Sequence, residues 1–383
     1  MAFLSTENHS LTPSPIYRQS RYLFLAIGVV ILLAILAALL YPTYLSGNAQ
    51  TDVGRLDTGW AYQQDDIWIA IPTLPRTLEK QGDTLVLRHN LTGAEALPLD
   101  YLLTFRTRYA SIRVWADDAL IYEAAEGKEH ALSSMWHFIP LASCEGASTL
   151  KVELRKYEDH NRWELESVLL DRPASIQYHL LLRNLPAILF GFVCLLLTLS
   201  LVLFTVATTA RKGPMALPLL SLSCFVLLSG LWILLDSKIT TVFGGNYALT
   251  YFLSYAAFYL LLVPYLLYIR LMLKSQNRLL SLLTWAFLVN AGICFVLHMT
   301  GLVPIRHTTI VVHILIVLSI LVSTLEFWHS IVRKRERQLL FTFCGSMAVY
   351  LLGILSIVFY QLGKFETINN TTLYIWGLSI QLI

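Results

Sequence analysis

From Ile176 onward the chain is almost continuously apolar. Charge appears only as short punctuation, at Arg211-Lys212-Gly213-Pro214, Asp236-Ser237-Lys238, Lys274 to Arg278, Gly301 to His307, Arg333 to Gln338 and Gly363 to Asn370. A helix needs about 20 apolar residues to cross ~30 Å of hydrocarbon. The intervals between the breaks meet that length and predict six full spans, near 182–208, 216–235, 248–273, 279–300, 308–331 and 339–362. A further apolar stretch opens at Thr371 and reaches Ile383, enough for ~20 Å of helix, so the sequence reads as stopping inside a seventh crossing. Upstream, Tyr22 to Tyr41 follows Arg18 and Arg21 and is long enough to anchor the chain. Gly47 and Ala49 leave a cleaved signal peptide open, but the run exceeds the ~7–15 apolar residues of a usual signal core, which favours an uncleaved anchor.

Composition agrees. Of 383 residues 56% are hydrophobic and 14% charged, against roughly 25% charged in a soluble domain, so a wholly soluble fold is excluded. With 28 Lys and Arg against 25 Asp and Glu, the net charge of +3 gives no basic excess for a nucleic-acid partner. Four of the five cysteines, Cys194, Cys224, Cys294 and Cys344, lie in the apolar runs, leaving Cys144 alone in the polar region. No disulfide framework or zinc cluster follows from that.

The location of the basic residues sets the expected orientation. With the N-terminus in the cytoplasm, the inner segments hold Arg18 and Arg21, then Arg211 and Lys212, then Arg270, Lys274 and Arg278, then Arg333, Lys334, Arg335 and Arg337. The short outer segments hold only Lys238, Arg306 and Lys364. The expected organisation is a cytoplasmic N-terminus over 1–21, an anchor over 22–43, an exported domain over 44–177 and a helical bundle over 178–383, multi-pass in the inner (cytoplasmic) membrane.

Between residues 50 and 175 the pattern changes to alternation with period two, the mark of strands with one buried face. Leu150, Val152 and Leu154 oppose Lys151, Glu153 and Arg155; Leu103 and Phe105 alternate with Thr104 and Arg106; Ile112 and Val114 alternate with Ser111 and Arg113. The turn-forming stretch Ala116-Asp117-Asp118-Ala119 leads into Leu120-Ile121-Tyr122 and predicts a hairpin. Further strands are expected at Trp68 to Ile71, Thr84 to His89, Trp136 to Leu141 and Val168 to Leu170. The fold class expected is thus a membrane helical bundle, one anchor plus seven crossings with the last incomplete, joined to an exported all-β sandwich of jelly-roll type.

Aromatic faces beside polar groups can grip sugars, whose rings present apolar C–H patches among hydroxyls. Any single tryptophan here is more often sheet packing than a ligand platform. The candidates carried forward are Trp136 and His137, after an expected loop, and His160, Arg162 and Trp163, in a polar stretch read as a loop between strands. Candidates for coupling the exported domain to the bundle are Pro173, a break between last strand and first span, Pro186, a kink within that span, and the near-terminal charges Arg183 and Asp236.

No P-loop, Gly-x-Ser-x-Gly, His-Glu-x-x-His or dinucleotide fingerprint occurs. His307 and His313 are spaced i,i+6, which does not place both on one helix face. No catalytic residue, metal ligand or cofactor is assigned, and the residues present are not read as an enzyme. Neither midplane acids nor a repeat of two similar halves is apparent, which disfavours transport.

The order of anchor, β-rich exported domain and seven crossings resembles the bacterial seven-transmembrane receptors with diverse intracellular signalling modules. Similar short features are Leu231-Trp232-Ile233-Leu234-Leu235-Asp236-Ser237, Tyr255 with Pro264, and Trp376-Gly377; the segment from Trp60 to Pro173 resembles their jelly-roll sensor domains. The resemblance implies a receptor that binds a small extracytoplasmic ligand, carbohydrate-like in several guises, and biases a cytoplasmic output module such as a diguanylate cyclase, histidine kinase or phosphatase. Its partners would be the bilayer, that ligand, the output module and, in a homodimer, a second copy. No Gly-Gly-Asp-Glu-Phe signature is present. The expectation is therefore a truncated frame, a fragment, or an output supplied by a partner. The rival readings are a membrane transporter with an exported binding domain and a membrane-bound carbohydrate-processing protein.

Overall fold

The computed structural model describes residues 53–79, 82–91, 100–124, 134–156, 162–210, 215–275, 277–333, 339–361 and 375. The expected N-terminal anchor, and all of the expected last span except Ile375, lie outside the described residues.

Strands fill the region before Pro173. They are β1 (Trp60–Gln64), β2 (Ile67–Ala70), β3 (Arg76–Glu79), β4 (Thr84–Asn90), β5 (Leu102–Thr107), β6 (Ala110–Ala116), β7 (Ala119–Ala124), β8 (Met135–Pro140), β9 (Thr149–Lys156), β10 (Arg162–Leu165) and β11 (Leu169–Asp171). Six of them make one sheet in the order β2-β1-β4-β9-β6-β7. Facing it are a three-stranded sheet, β11-β5-β8, and the β3–β10 ribbon. All these pairings are antiparallel. The chain crosses between the layers from β4 to β5, back to β6, across again from β7 to β8, and back to β9.

Alternation explains the core. Leu85 and Leu87 of β4, Ile112 and Val114 of β6, and Leu150 and Val152 of β9 point from the large sheet onto Leu103, Phe105, Ile139 and Trp163 of the opposite layer. A one-residue slip would turn each of these sets to solvent, so burial itself fixes the register. The expected β6–β7 hairpin is present, with Asp117 in the left-handed region at φ 49°. Its carboxylate accepts from the backbone N–H and hydroxyl groups of Ser148 and Thr149 at 2.8–3.1 Å, which ties the turn to the start of β9. These bonds to the charged form hold the Asp117 carboxyl down at about 2.

Eight helices follow: α1 (Pro173–Ala210), α2 (Ala216–Asp236), α3 (Ile239–Val242), α4 (Tyr247–Leu260), α5 (Leu262–Met272), α6 (Arg278–Met299), α7 (Thr309–Arg333) and α8 (Leu340–Gln361). The helix that carries the first expected span begins before residue 182, because Pro173 opens the helix rather than breaking it. At the first helical position its missing N–H costs nothing. The Asp171 carboxylate accepts from the Ser175 hydroxyl and the Arg172 N–H across this start. Pro186 lies inside α1 as expected. A second interruption separates α4 from α5 at Leu261, just before Pro264, whose ring opposes the carbonyl of residue 260.

Five helical segments are long and apolar enough to cross a membrane: Pro173–Ala210, Ala216–Asp236, Tyr247–Met272, Arg278–Met299 and Ile305–Val332. The sixth expected span corresponds to α8, whose strongly apolar part, Thr342–Leu355, is shorter. Seven crossings are thus not reached among the described residues. The helices share one core through Phe190, Phe225, Tyr265, Phe287 and Phe327, with α1 along α2, and α2 along α4 and α5. Hydroxyl pairs add polar links between distant helices, Tyr265 donating to Ser346 and Ser323 meeting Tyr350, both at 2.8 Å.

Candidate functional site: the seam between the β layers and the first helix

The three-stranded sheet is covered on both faces, and this is where the two halves of the protein meet. Its inner face, with Leu103, Phe105 and Ile139, belongs to the sandwich core. Its outer face, with Trp136 and Leu169 and with Leu102 and Phe138 beside them, packs against Ile176 and Leu180 of α1 and Val242 of α3. Ile176 and Leu180 are one turn apart and project from the same side of α1, so the first turns of this helix form a lid over β5, β8 and β11.

Above that apolar contact lies a charged cluster. In β5, Arg106 shares a face with Trp136 because the two are register partners on β5 and β8. Glu164 and Glu166 alternate with the buried Trp163 and Leu165 at the end of β10. Glu166 accepts from Arg106 (3.1 Å) and from Arg108 (3.0 Å), and lies 3.8 Å from Arg183 of α1. Glu164 takes the other arm of Arg108, and Arg106 donates to the Ser134 hydroxyl at 3.0 Å. The guanidinium groups of Arg106 and Arg183 both lie over the Trp136 ring, at 5.5 and 5.8 Å from its centre. Burial alone would raise the Glu166 carboxyl, but the positive charges of Arg106, Arg108 and Arg183 outweigh it and hold the group below its usual range.

A second contact is made by Tyr109, in the left-handed region at φ 53° in the β5–β6 turn. Arg306, in the connection before α7, lies over its ring at 4.8 Å, and Tyr109 packs against the helical core. The β domain therefore touches the bundle both at α1 and at the 300–308 connection.

The sequence candidates are dispersed by this arrangement. Trp136 is 6% exposed and belongs to the seam. His137 is fully buried on the opposite face of the same strand, its Nε2 2.7 Å from the Thr107 hydroxyl and its Nδ1 3.2 Å from the Tyr122 hydroxyl, so it links the two layers. Desolvation pushes its imidazole down to about 3, which keeps it neutral. Trp163 is a core residue, 1% exposed, beneath the Lys156 ammonium. Arg162 opens β10 opposite Glu79, and His160 lies outside the described residues. Between the layers a cavity of about 20 Å³, walled by Trp60, Leu74, Leu87, Phe105 and Val168 among others, has room for a water molecule and not for a sugar ring. Trp136, His137 and Trp163 therefore do not converge on one open site.

The coupling candidates fare differently. Pro173 and Arg183 both lie at the seam, Pro186 three residues beyond Arg183, while Asp236 ends α2 and pairs with Lys238 at 3.5 Å. Sequence reading passed over Arg106, Arg108, Glu164, Glu166, Tyr109 and Arg306 as parts of one assembly. The available signal was the pair of alternations Arg106-Thr107-Arg108 and Glu164-Leu165-Glu166, two basic and two acidic residues each presented on one strand face.

Fold and seam together define a multi-pass membrane protein whose β domain is built onto the first long apolar helix among the described residues. No protein-family model, no curated protein and no solved structure matches the chain.

Proposed function

We propose that the chain is a bacterial membrane sensory receptor, in which a carbohydrate-like ligand held outside the cytoplasm by the β domain biases the helical bundle and, through it, a cytoplasmic output module. The observation that carries this reading is the junction between the halves. Only Arg172 separates the last strand, β11, from a 38-residue helix that crosses the membrane. A displacement of β11 against β5 has no flexible linker in which to dissipate. It also meets the bundle a second time, at Tyr109 and Arg306. Such a device works by population shift: the ligand acts only through its difference in affinity between two arrangements of the bundle.

The test uses the full chain in lipid nanodiscs, screened against sugars, glycolipid fragments and amino acids. A ligand at 100 times its Kd is expected to stabilise the fold by about 2.7 kcal/mol. The same ligand should change the distance between spin labels placed at the ends of α1 and α7 away from the β domain, near Ala210 and Arg333. Replacing residues 171–177 with a Gly/Ser linker should preserve the stabilisation and abolish the distance change. Label distances indifferent to a stabilising ligand, or accumulation of that ligand inside sealed vesicles, would overturn the receptor reading in favour of simple binding or transport.

A further inference from the structure

The protein-facing stripe of α1 runs Ile176, Leu180, Arg183, Ala187, Phe190 and Cys194, at the i, i+3, i+4 spacing of one helix side. Five of these six are buried, Ile176 and Leu180 beneath the β domain and the last three against the bundle. Arg183 alone is open, with 51% of its side chain exposed. It therefore occupies a notch at the edge of the seam, beside Glu166 and Trp136 and, among the described residues, before the contacts of α1 with the bundle begin.

Its partners do not use up its donors. Glu166 lies at 3.8 Å, beyond hydrogen-bond distance, and is already held by Arg106 and Arg108, while Trp136 offers only the face of its ring. Among the described residues the fields of Arg106, Arg108 and Arg55 act on Arg183 against that of Glu166. Arg183 thus presents, in a positive field, a half-exposed fork whose planar donors match two oxygens of a phosphate.

Depth along the helix indicates what reaches the fork. At 1.5 Å per residue α1 is about 57 Å long, whereas hydrocarbon needs only ~20 residues of it. Counting back from Ala210 puts the hydrocarbon edge near residue 190, and Arg183 about 10 Å beyond it, among the head groups. The exposed surface agrees: large apolar side chains face outward from Leu189 through Phe192, Leu196, Leu199 and Leu203, and the segment between Tyr178 and Leu189 exposes none.

We propose that the Arg183 notch is a binding site for a phosphate group, supplied either by the head group of an anionic lipid or by a free phosphate-bearing anion. A phosphate oxygen pair accepts from the Arg183 guanidinium, while the Trp136 ring beneath supports the fork and the Arg106 charge beside it adds to the attraction for the anion. The bound group would join sandwich, helix and bilayer at one point.

The full chain, purified in mild detergent and stripped of lipid, is titrated with phosphatidylglycerol under native mass spectrometry and, separately, with inorganic phosphate, each with thermal unfolding followed. One tightly held phosphatidylglycerol per chain is expected, bound about tenfold more weakly by Arg183→Gln, with inorganic phosphate giving no effect. An Arg183-dependent rise in unfolding temperature with inorganic phosphate alone would support the site and assign it to a free anion. Equal affinity of wild type and Arg183→Gln for both probes would overturn it. Should Arg183→Gln fail to fold, Arg183→Lys keeps the charge and loses the fork; severalfold weaker lipid retention is then expected, and undiminished retention overturns the proposal.

Discussion

His137 shows how one polar side chain can fix the relation between two layers and carry a cost that depends on pH. It has no exposed surface, and its ring nitrogens are matched to Thr107 of its own layer and Tyr122 of the other. In the neutral ring one nitrogen donates and the other accepts, so both hydroxyls are matched, and what opposes protonation is burial of the charge away from water. With the folded group pushed down to about 3 from its ordinary 6.5, the unfolded chain binds the extra proton first on acidification. The stability that neutral His137 contributes is complete above pH ~6.5 and is lost progressively as pH falls from there towards 3. His89, also lowered by burial, adds to the same slope. Thermal unfolding of the detergent-solubilised chain should thus show a falling midpoint between pH 7.5 and pH 5. His137→Gln should be less stable at pH 7.5 and show a shallower decline; an unchanged slope would mean that the ring is already protonated or accessible in the fold.

At the scale of elements, the α1–α2 pair depends on two glycines that let the helices approach. A Cβ on Gly230 would lie 2.6 Å from the Cys194 Cβ and 3.2 Å from the Gly191 carbonyl oxygen, both fixed by the backbone of α1. A Cβ on Gly191 would instead meet the side chain of Leu234, which can turn aside. Gly230→Ala is therefore expected to cost more than Gly191→Ala, about 1–3 kcal/mol in denaturation from mixed detergent micelles, despite the better helix propensity of alanine. Equal, small effects at both positions would mean that the helices pack further apart. Such close approaches are not readable from a run of apolar residues, which gives the length of a span but not its neighbours. The strands divide in the same way. β4, β5, β6 and β9 could be read because each alternates over six or more residues. β3 and β10 could not: Leu78 is the one buried residue of its strand, and Trp163 and Leu165 follow a polar stretch that looks like a loop. β1, with Trp60 its single buried residue, is likewise not read, whereas β2 is read, from Trp68 to Ile71, although none of its residues is buried. The seam was half legible. The helix-borne Arg183 stood out as a charge beside an apolar run, whereas its partners come from β5, β8 and the end of β10, strands whose meeting depends on topology that alternation does not encode.

For the whole molecule, the β domain packs against the end of the bundle whose connections the sequence leaves poor in Lys and Arg. The domain meets the bundle at Val242, between α2 and α4, and at Arg306, between α6 and α7. These are the connections that the sequence leaves nearly free of Lys and Arg. The opposite end of the bundle takes the connections after α1, α5 and α7, and with them Arg211 and Lys212, Arg270, Lys274 and Arg278, and the four basic residues from Arg333 to Arg337. At that end Glu326 of α7 accepts from Ser275, at 2.6 Å, and from Asn277, fastening the α5–α6 connection in place. Since retention of Lys and Arg in the cytoplasm governs insertion, a domain packed on the charge-poor end is expected outside it. Single cysteines replacing Asp118, in the exposed β6–β7 turn, and Arg335, between α7 and α8, test this in intact cells with a membrane-impermeant maleimide, on a background in which all five native cysteines are replaced by serine. Asp118→Cys should label from outside and Arg335→Cys only after the membrane is opened. Labelling of both from one side would break the correspondence between charge and packing, and with it the path by which binding at the β layers could be felt across the bilayer.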